Sequence, residues 1–314
     1  MNDYLTKLNK RNFYNIADTK VAFFFAVLIP QAIGILLSFI IIGAGMEETY
    51  ASNPLIMVLF ASVSQISFIS IYFLYNFRMG IRQFRASGLS TKISKRNLIL
   101  SALLGVVCIF GLNYLIEFVM QVFEAFGYQS SGLALPLDNI GWYFANVFLL
   151  AVLPAICEEL IFRGIILNGL LSKYKPVTAV VFSAILFALM HGNIEQLVFP
   201  MLMGLVLGYV FFKTGSLLCT MILHFVNNFI VITINYIVVS SGAALTEMPM
   251  LMTFIIGVQL ALVTVAIICF TDRFWKPREK RLRVKPQKES ETGNTLFWVG
   301  IAICSFFLLM SIFI

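Results

Sequence analysis

The chain has 314 residues, of which 60% are apolar and 12% charged, with a net charge of +7. A soluble domain carries about a quarter charged residues, so an aqueous globule is excluded and lipid must cover much of the surface. The basic residues lie between long apolar runs rather than in one patch, which excludes nucleic acid as the partner and points to membrane lipids.

Nine apolar runs of about 20 residues follow one another. They lie near 21–44, 55–77, 98–120, 140–168, 177–192, 194–212, 216–240, 249–270 and 295–314. No stretch alternates in the β pattern, so the predicted fold class is all-α: a polytopic transmembrane helical bundle of about nine spans. The first run is longer than a signal-peptide core and reads as a signal anchor. The fifth and sixth runs are separated only by the polar turn His191-Gly192-Asn193.

Charge sets the orientation. All 22 Lys and Arg residues fall before the first run, in 78–97, in 163–175, at Lys213 or in 271–294. These are alternate connections of a nine-span chain, with Arg163 standing inside the end of the fourth run. The opposite connections carry Glu47, Glu48, Glu124, Asp138, Glu195 and Glu247 and no basic residue. The positive-inside rule then places the N-terminus in the cytoplasm and the C-terminus outside. The loop 271–294 is expected to fix topology and touch anionic headgroups.

Three regions are expected: 1–139, N-terminal spans and a basic loop; 140–240, a catalytic helical core; and 241–314, C-terminal spans with a basic cytoplasmic loop. The five cysteines sit in apolar runs without C-x-x-C spacing, which argues against both a disulfide framework and a thiolate zinc site.

Ionisable groups inside membrane spans are expensive, so each is a functional candidate. The chain has two histidines, and both lie in apolar runs: His191 and His224. The fourth run carries Glu158, Glu159 and Arg163. At the helical rise, Glu158 lies roughly 22 Å from the basic turn at Lys173, His191 roughly 24 Å from Lys175 and His224 roughly 16 Å from Lys213. Three helices thus bring Glu, His and His to similar depth. Glu159 and Arg163 are four apart and can pair on one helix face, a structural role. Glu158 is turned about 100° away and has no cation on its own helix. His224 and Asn228 share a face. Pro154 cannot donate to the carbonyl of Leu150, so a kink or water entry is expected there. Gly204 and Gly208 form G-x-x-x-G, read as close helix packing.

Glu with two His suits activation of water, and His with Asn suits stabilisation of an oxyanion. Together they point to amide hydrolysis within the membrane. At these residues the chain resembles the CPBP family: type II CAAX prenyl endopeptidases and their bacterial relatives in bacteriocin processing and self-immunity. The three motifs of that family are E-E-x-x-x-R, F-x-x-x-H and H-x-x-x-N/D. They stand here as Glu158-Glu159-Leu160-Ile161-Phe162-Arg163, Phe187 to His191, and His224 to Asn228. The resemblance covers roughly 140–240 and implies an intramembrane endopeptidase acting on a membrane-associated peptide or protein tail. It implies that Glu158 and His191 activate water while His224 and Asn228 hold the oxyanion, with Glu159, Arg163 and Phe187 supporting the site. Many relatives are described as metalloproteases. A zinc ion would here take Glu158, His191 and His224, but that would leave no free carboxylate as base. The expected cofactor is therefore none, with zinc the alternative. The expected location is the plasma membrane of a bacterium. The competing readings are a non-catalytic scaffold or immunity protein and, further off, a transporter, for which no internal repeat is found.

Overall fold

The structure is a computed structural model that describes residues 13–46, 53–90, 93–128, 136–242, 248–275 and 291–313. Lys7, Lys10, Arg11, Lys92, most of the basic loop, Glu47, Glu48 and Glu247 lie outside these residues. The described residues are helical, without strands. Their main helices are α1 (Ile16–Gly43), α2 (Pro54–Arg78), α3 (Lys95–Ala125), α4 (Ile140–Leu170), α5 (Pro176–Met190), α6 (Val198–Thr214), α7 (Leu217–Ser241), α8 (Met250–Thr271) and α9 (Glu291–Phe313).

Local sequence signals start and stop these helices. Asn15 caps α1 in a capping box with Asp18. Asn53 caps α2 ahead of Pro54, and Ser94 and Asn139 cap α3 and α4 by accepting from Asn97 N and Trp142 N. Such caps satisfy amides that a helix leaves unpaired at its start. Gly215 ends α6 with φ +63°. A Cβ at Gly88, where φ is +90°, would stand 2.4 Å from the Gly215 carbonyl oxygen. Only glycine permits that close crossing.

Seven of these helices are long and apolar enough to cross a bilayer; α5 and α6, with 15 and 17 residues, are shorter. At 1.5 Å per residue they reach about 22 and 26 Å, against about 30 Å of hydrocarbon. The expected spans 177–192 and 194–212 are thus shortened. The reason is local: α5 stops at Met190, His191 is its C-cap, and the turn runs to Leu197 before α6 begins. The connections flanking the pair face the same side whether α5 and α6 cross or dip in and return, so the parity of the charge pattern is unaffected.

Helix α4 lies at the centre, with α1, α2, α5, α6 and α7 packed against it. Helices α7 and α8 flank α3 on one side, and α9 lies along α1 on the other. The G-x-x-x-G residues face α5: a Cβ at Gly204 would meet Ala184 at 3.0 Å and one at Gly208 would meet Val180 at 2.9 Å. Small residues let these backbones approach. The last helix packs Phe297 against Phe23 with ring centroids 5.7 Å apart. Its Ser311 hydroxyl accepts from Ile194 N at 3.2 Å, inside the turn that follows His191.

Candidate active site

The fourth helix is not a uniform α-helix. Two π segments, Val147–Val152 and Phe162–Leu167, bracket the α-helical stretch Leu153–Ile161 that carries both glutamates. A π segment loosens the regular ladder and recurs at functional sites. Side chains meet the loosened carbonyls here. Asn168 Nδ2 donates to the carbonyls of Arg163, Gly164 and Ala86 at 3.0–3.2 Å. Thr19 Oγ1 donates to Ile166 O at 2.9 Å. At the other end, the bond that Pro154 cannot make to Leu150 is replaced from outside the helix: Asn228 Nδ2 donates to Leu150 O at 2.9 Å.

The adjacent glutamates have different surroundings. Glu159 is 0% exposed and Glu158 7%. Glu159 Oε1 accepts from Arg163 Nη1 at 2.7 Å, with both side chains fully buried. The same oxygen accepts from His224 Nδ1 at 3.1 Å, so Glu159 serves a histidine as well as the arginine that the sequence assigns to it. Arg163 is held further by Gly204 O at 3.3 Å and by the face of the Phe187 ring at 4.5 Å.

Glu158 Oε2 stands 3.9 Å from His224 Nε2, and its Oε1 accepts from Gln65 Nε2 of α2 at 3.5 Å. His191 Nδ1 bonds Phe187 O at 2.8 Å. Its ring stands edge-on to Phe187 with centroids 5.0 Å apart, and Phe187 meets the His224 ring at 6.2 Å. Glu158, His224 and Arg163 all lie within electrostatic range of His191. Phe187 therefore sits at the hub of the cluster, touching Arg163 and both histidines.

These bonds fix what each ring can do. His191 Nδ1–H is committed to a carbonyl, which leaves Nε2 as an acceptor. His224 Nδ1–H is committed to Glu159, so His224 donates from Nε2 only as the imidazolium. A histidine held through Nδ1 with Nε2 presented is also how a metal-ligating histidine is oriented. Yet among the described residues no three His, Cys, Asp or Glu side chains gather closely enough to hold a metal ion. Glu158 is engaged by Gln65 and approaches His224 itself. The donor set as arranged does not fit zinc, and no step is derived through it.

Asn228 lies partly buried one turn beyond His224. Its Oδ1 accepts from Asn227 Nδ2 at 3.2 Å, and one amide N–H is on Leu150. One N–H remains for another acceptor. Two partners escaped the sequence reading. Gln65 is an amide in the middle of an apolar run, and the expense of burying an amide was its signal. Tyr128, whose hydroxyl donates to Glu195 Oε1 at 2.8 Å and so tethers the turn after His191, has no such signal.

Residues 140–230 match a family model described as type II CAAX prenyl endopeptidase Rce1-like, a membrane protease family. The match supports the CPBP resemblance and does not single out its bacteriocin-processing branch. It contains all three motifs and leaves Gln65 outside. No curated protein and no solved structure matches the chain.

Proposed function

We propose, taking residues 140–230 as an Rce1-like domain, that this integral membrane protein is an endopeptidase. It hydrolyses a peptide bond in a membrane-associated peptide or protein tail, in the plasma membrane of a bacterium. A water donates one hydrogen to Glu158 and the other to His191 Nε2, and its oxygen attacks the scissile carbonyl. Glu158 takes the proton as general base. The oxyanion accepts from His224 Nε2–H and from the second N–H of Asn228. The C–N bond then breaks, and Glu158 returns its proton to the leaving amine. Two carboxylates flank His224, at 3.1 and 3.9 Å, and fix the position from which its ring faces the reacting carbonyl.

The observation that carries this reading is the division of labour between the neighbouring glutamates. Glu159 is paired with Arg163 at 2.7 Å, while Glu158 makes no ion pair with Lys or Arg among the described residues and turns toward a histidine. A scaffold has no use for that second buried carboxylate.

The test uses the purified full chain in nanodiscs with two internally quenched peptides. One ends in a farnesylated CAAX tail, and the other is a membrane-anchored leader peptide. Glu158→Gln and His191→Ala should lower kcat/KM by about 10²–10⁴-fold on the peptide that is cut, with the melting midpoint retained for Glu158→Gln. Chelation should leave the rate unchanged. Stoichiometric zinc, with activity lost on chelation and restored by zinc, overturns the metal-free mechanism. Normal turnover by folded Glu158→Gln overturns the assignment as a whole.

A further inference from the structure

The proposed mechanism leaves one well-placed group unused. Gln65 comes from α2, outside the residues that match the family model. It is 7% exposed. Its Nε2 donates to Glu158 Oε1 at 3.5 Å, whereas its Oε1 is buried with no hydrogen-bond partner among the described residues. The orientation of the amide follows from chemistry: reversing it would set a carbonyl oxygen against the carboxylate. A buried amide oxygen without a partner is uncommon in folded proteins and calls for an explanation. Both atoms belong to one planar amide, so the orphan acceptor lies beside the carboxylate that takes the proton from water. A peptide entering this site brings backbone N–H groups, and in a water-poor site each of them needs an acceptor.

We infer that Gln65 is a substrate-binding and positioning residue of this site. Its Nε2–H holds Glu158 Oε1, leaving Oε2 toward His224 and the water, and its Oε1 accepts a backbone N–H of the bound peptide near the scissile bond. Helix α2 thereby supplies one wall of the peptide site that α4, α5 and α7 otherwise build. The inference rests on Glu158 being the general base.

Three proteins decide it: Gln65→Met, which keeps the length and apolar packing but loses both polar atoms; Gln65→Asn, which keeps the amide but withdraws it by one methylene; and Glu158→Gln as reference. On whichever quenched peptide the wild type cuts, Gln65→Met should melt near the wild-type midpoint, and both Gln65 variants should lose at least tenfold in kcat/KM per folded molecule. Binding separates the two halves of the inference. The uncut peptide should bind Glu158→Gln about tenfold more tightly than Glu158→Gln combined with Gln65→Met, the equivalent of about 1.4 kcal/mol. A readout that needs no substrate is the infrared carboxyl band that disappears in Glu158→Gln. In Gln65→Met that band should differ in frequency from the wild type, because the carboxyl has lost its hydrogen-bond partner. If Glu158→Gln is inactive while both Gln65 variants keep the wild-type rate and Gln65→Met keeps the wild-type peptide binding and carboxyl band, the role given to Gln65 is wrong and the general base stands. If Glu158→Gln cuts normally, the proposed function itself falls.

Discussion

Replacing Glu159 by Gln keeps the side-chain volume and removes one charge from a fully buried pair. Arg163 then loses its charged partner and keeps two contacts from elsewhere in the fold, the Gly204 carbonyl at 3.3 Å and the Phe187 ring face at 4.5 Å. Breaking a fully buried pair costs about 3–5 kcal/mol. The two remaining contacts put the expected loss near the lower bound, about 3 kcal/mol, or roughly 150-fold in the folding equilibrium. A second loss is separate from folding. Glu159 Oε1 also anchors His224 Nδ1 at 3.1 Å, and a hydrogen bond to a charged group contributes about 1.5–3 kcal/mol. Turnover per folded molecule should therefore fall about tenfold or more, not merely in proportion to the folded fraction. Adding Arg163→Met removes the orphan charge and should regain at least half of the stability, with no recovery of turnover. Unfolding midpoints in detergent, together with cleavage rates normalised to folded protein, measure both effects. A Glu159→Gln protein as stable as wild type, or a double variant no more stable than the single one, would refute the buried-pair account. Undiminished turnover per folded molecule would refute the anchoring of His224.

A reporter fused after Ile314 should read as external and one inserted near Lys285 as cytoplasmic, because alternate connections lack Lys and Arg; an internal C-terminus would break the parity. The Tyr128 phenol is pushed up from its ordinary 10.0 to about 12, by burial first and then by the Glu195 carboxylate it bonds. A raised folded-state value means that the tether is fully present below about pH 10 and is lost as pH rises through 12. The difference in melting midpoint between wild type and Tyr128→Phe should therefore be constant below pH 10 and close towards pH 12.

The bundle was legible because hydropathy and capping report the same boundaries. Apolar runs bounded by Asn53-Pro54, Ser94 and Asn139 have both a reason to enter lipid and a reason to start helix where they do. The cluster was legible because glutamate and histidine have no cheap place in hydrocarbon, and three helices carried them to matching depths. Three features were not. The turn after His191 grows at the expense of α5 and α6 because it is tethered by Tyr128 and Ser311, residues distant in sequence with no period of their own. The π segments of α4 have no propensity signature; they are held by Thr19 and Asn228 from neighbouring helices and by Asn168 of α4 itself. Gln65 is one amide in an apolar run, and only the position of Glu158 gives it a meaning. The last helix likewise acquires a structural role only once its Ser311 is seen bracing the turn after His191.

Asn228 is the residue on which spacing and geometry diverge most, and a double-variant cycle separates its two roles. The resemblance gives it to the oxyanion, whereas the structure engages one of its N–H groups with Leu150 O at 2.9 Å, next to the position where Pro154 has no N–H to offer. If that bond supports the π-to-α transition that aims Glu158, Asn228→Ala should destabilise the protein by about 1–3 kcal/mol, the cost of leaving a carbonyl unsatisfied. Pro154→Ala restores a backbone N–H four residues beyond Leu150, so in that background the same Asn228→Ala should cost clearly less. The coupling between the two sites should be at least about 0.5 kcal/mol, the range of residues sharing a partner. Turnover behaves differently. A restored backbone bond cannot supply an oxyanion donor, so the Pro154→Ala, Asn228→Ala protein should be stable and still slow. Strictly additive stabilities would show that Leu150 does not depend on Asn228, and a stable double variant with restored turnover would show that Asn228 acts only through the helix and never touches the oxyanion.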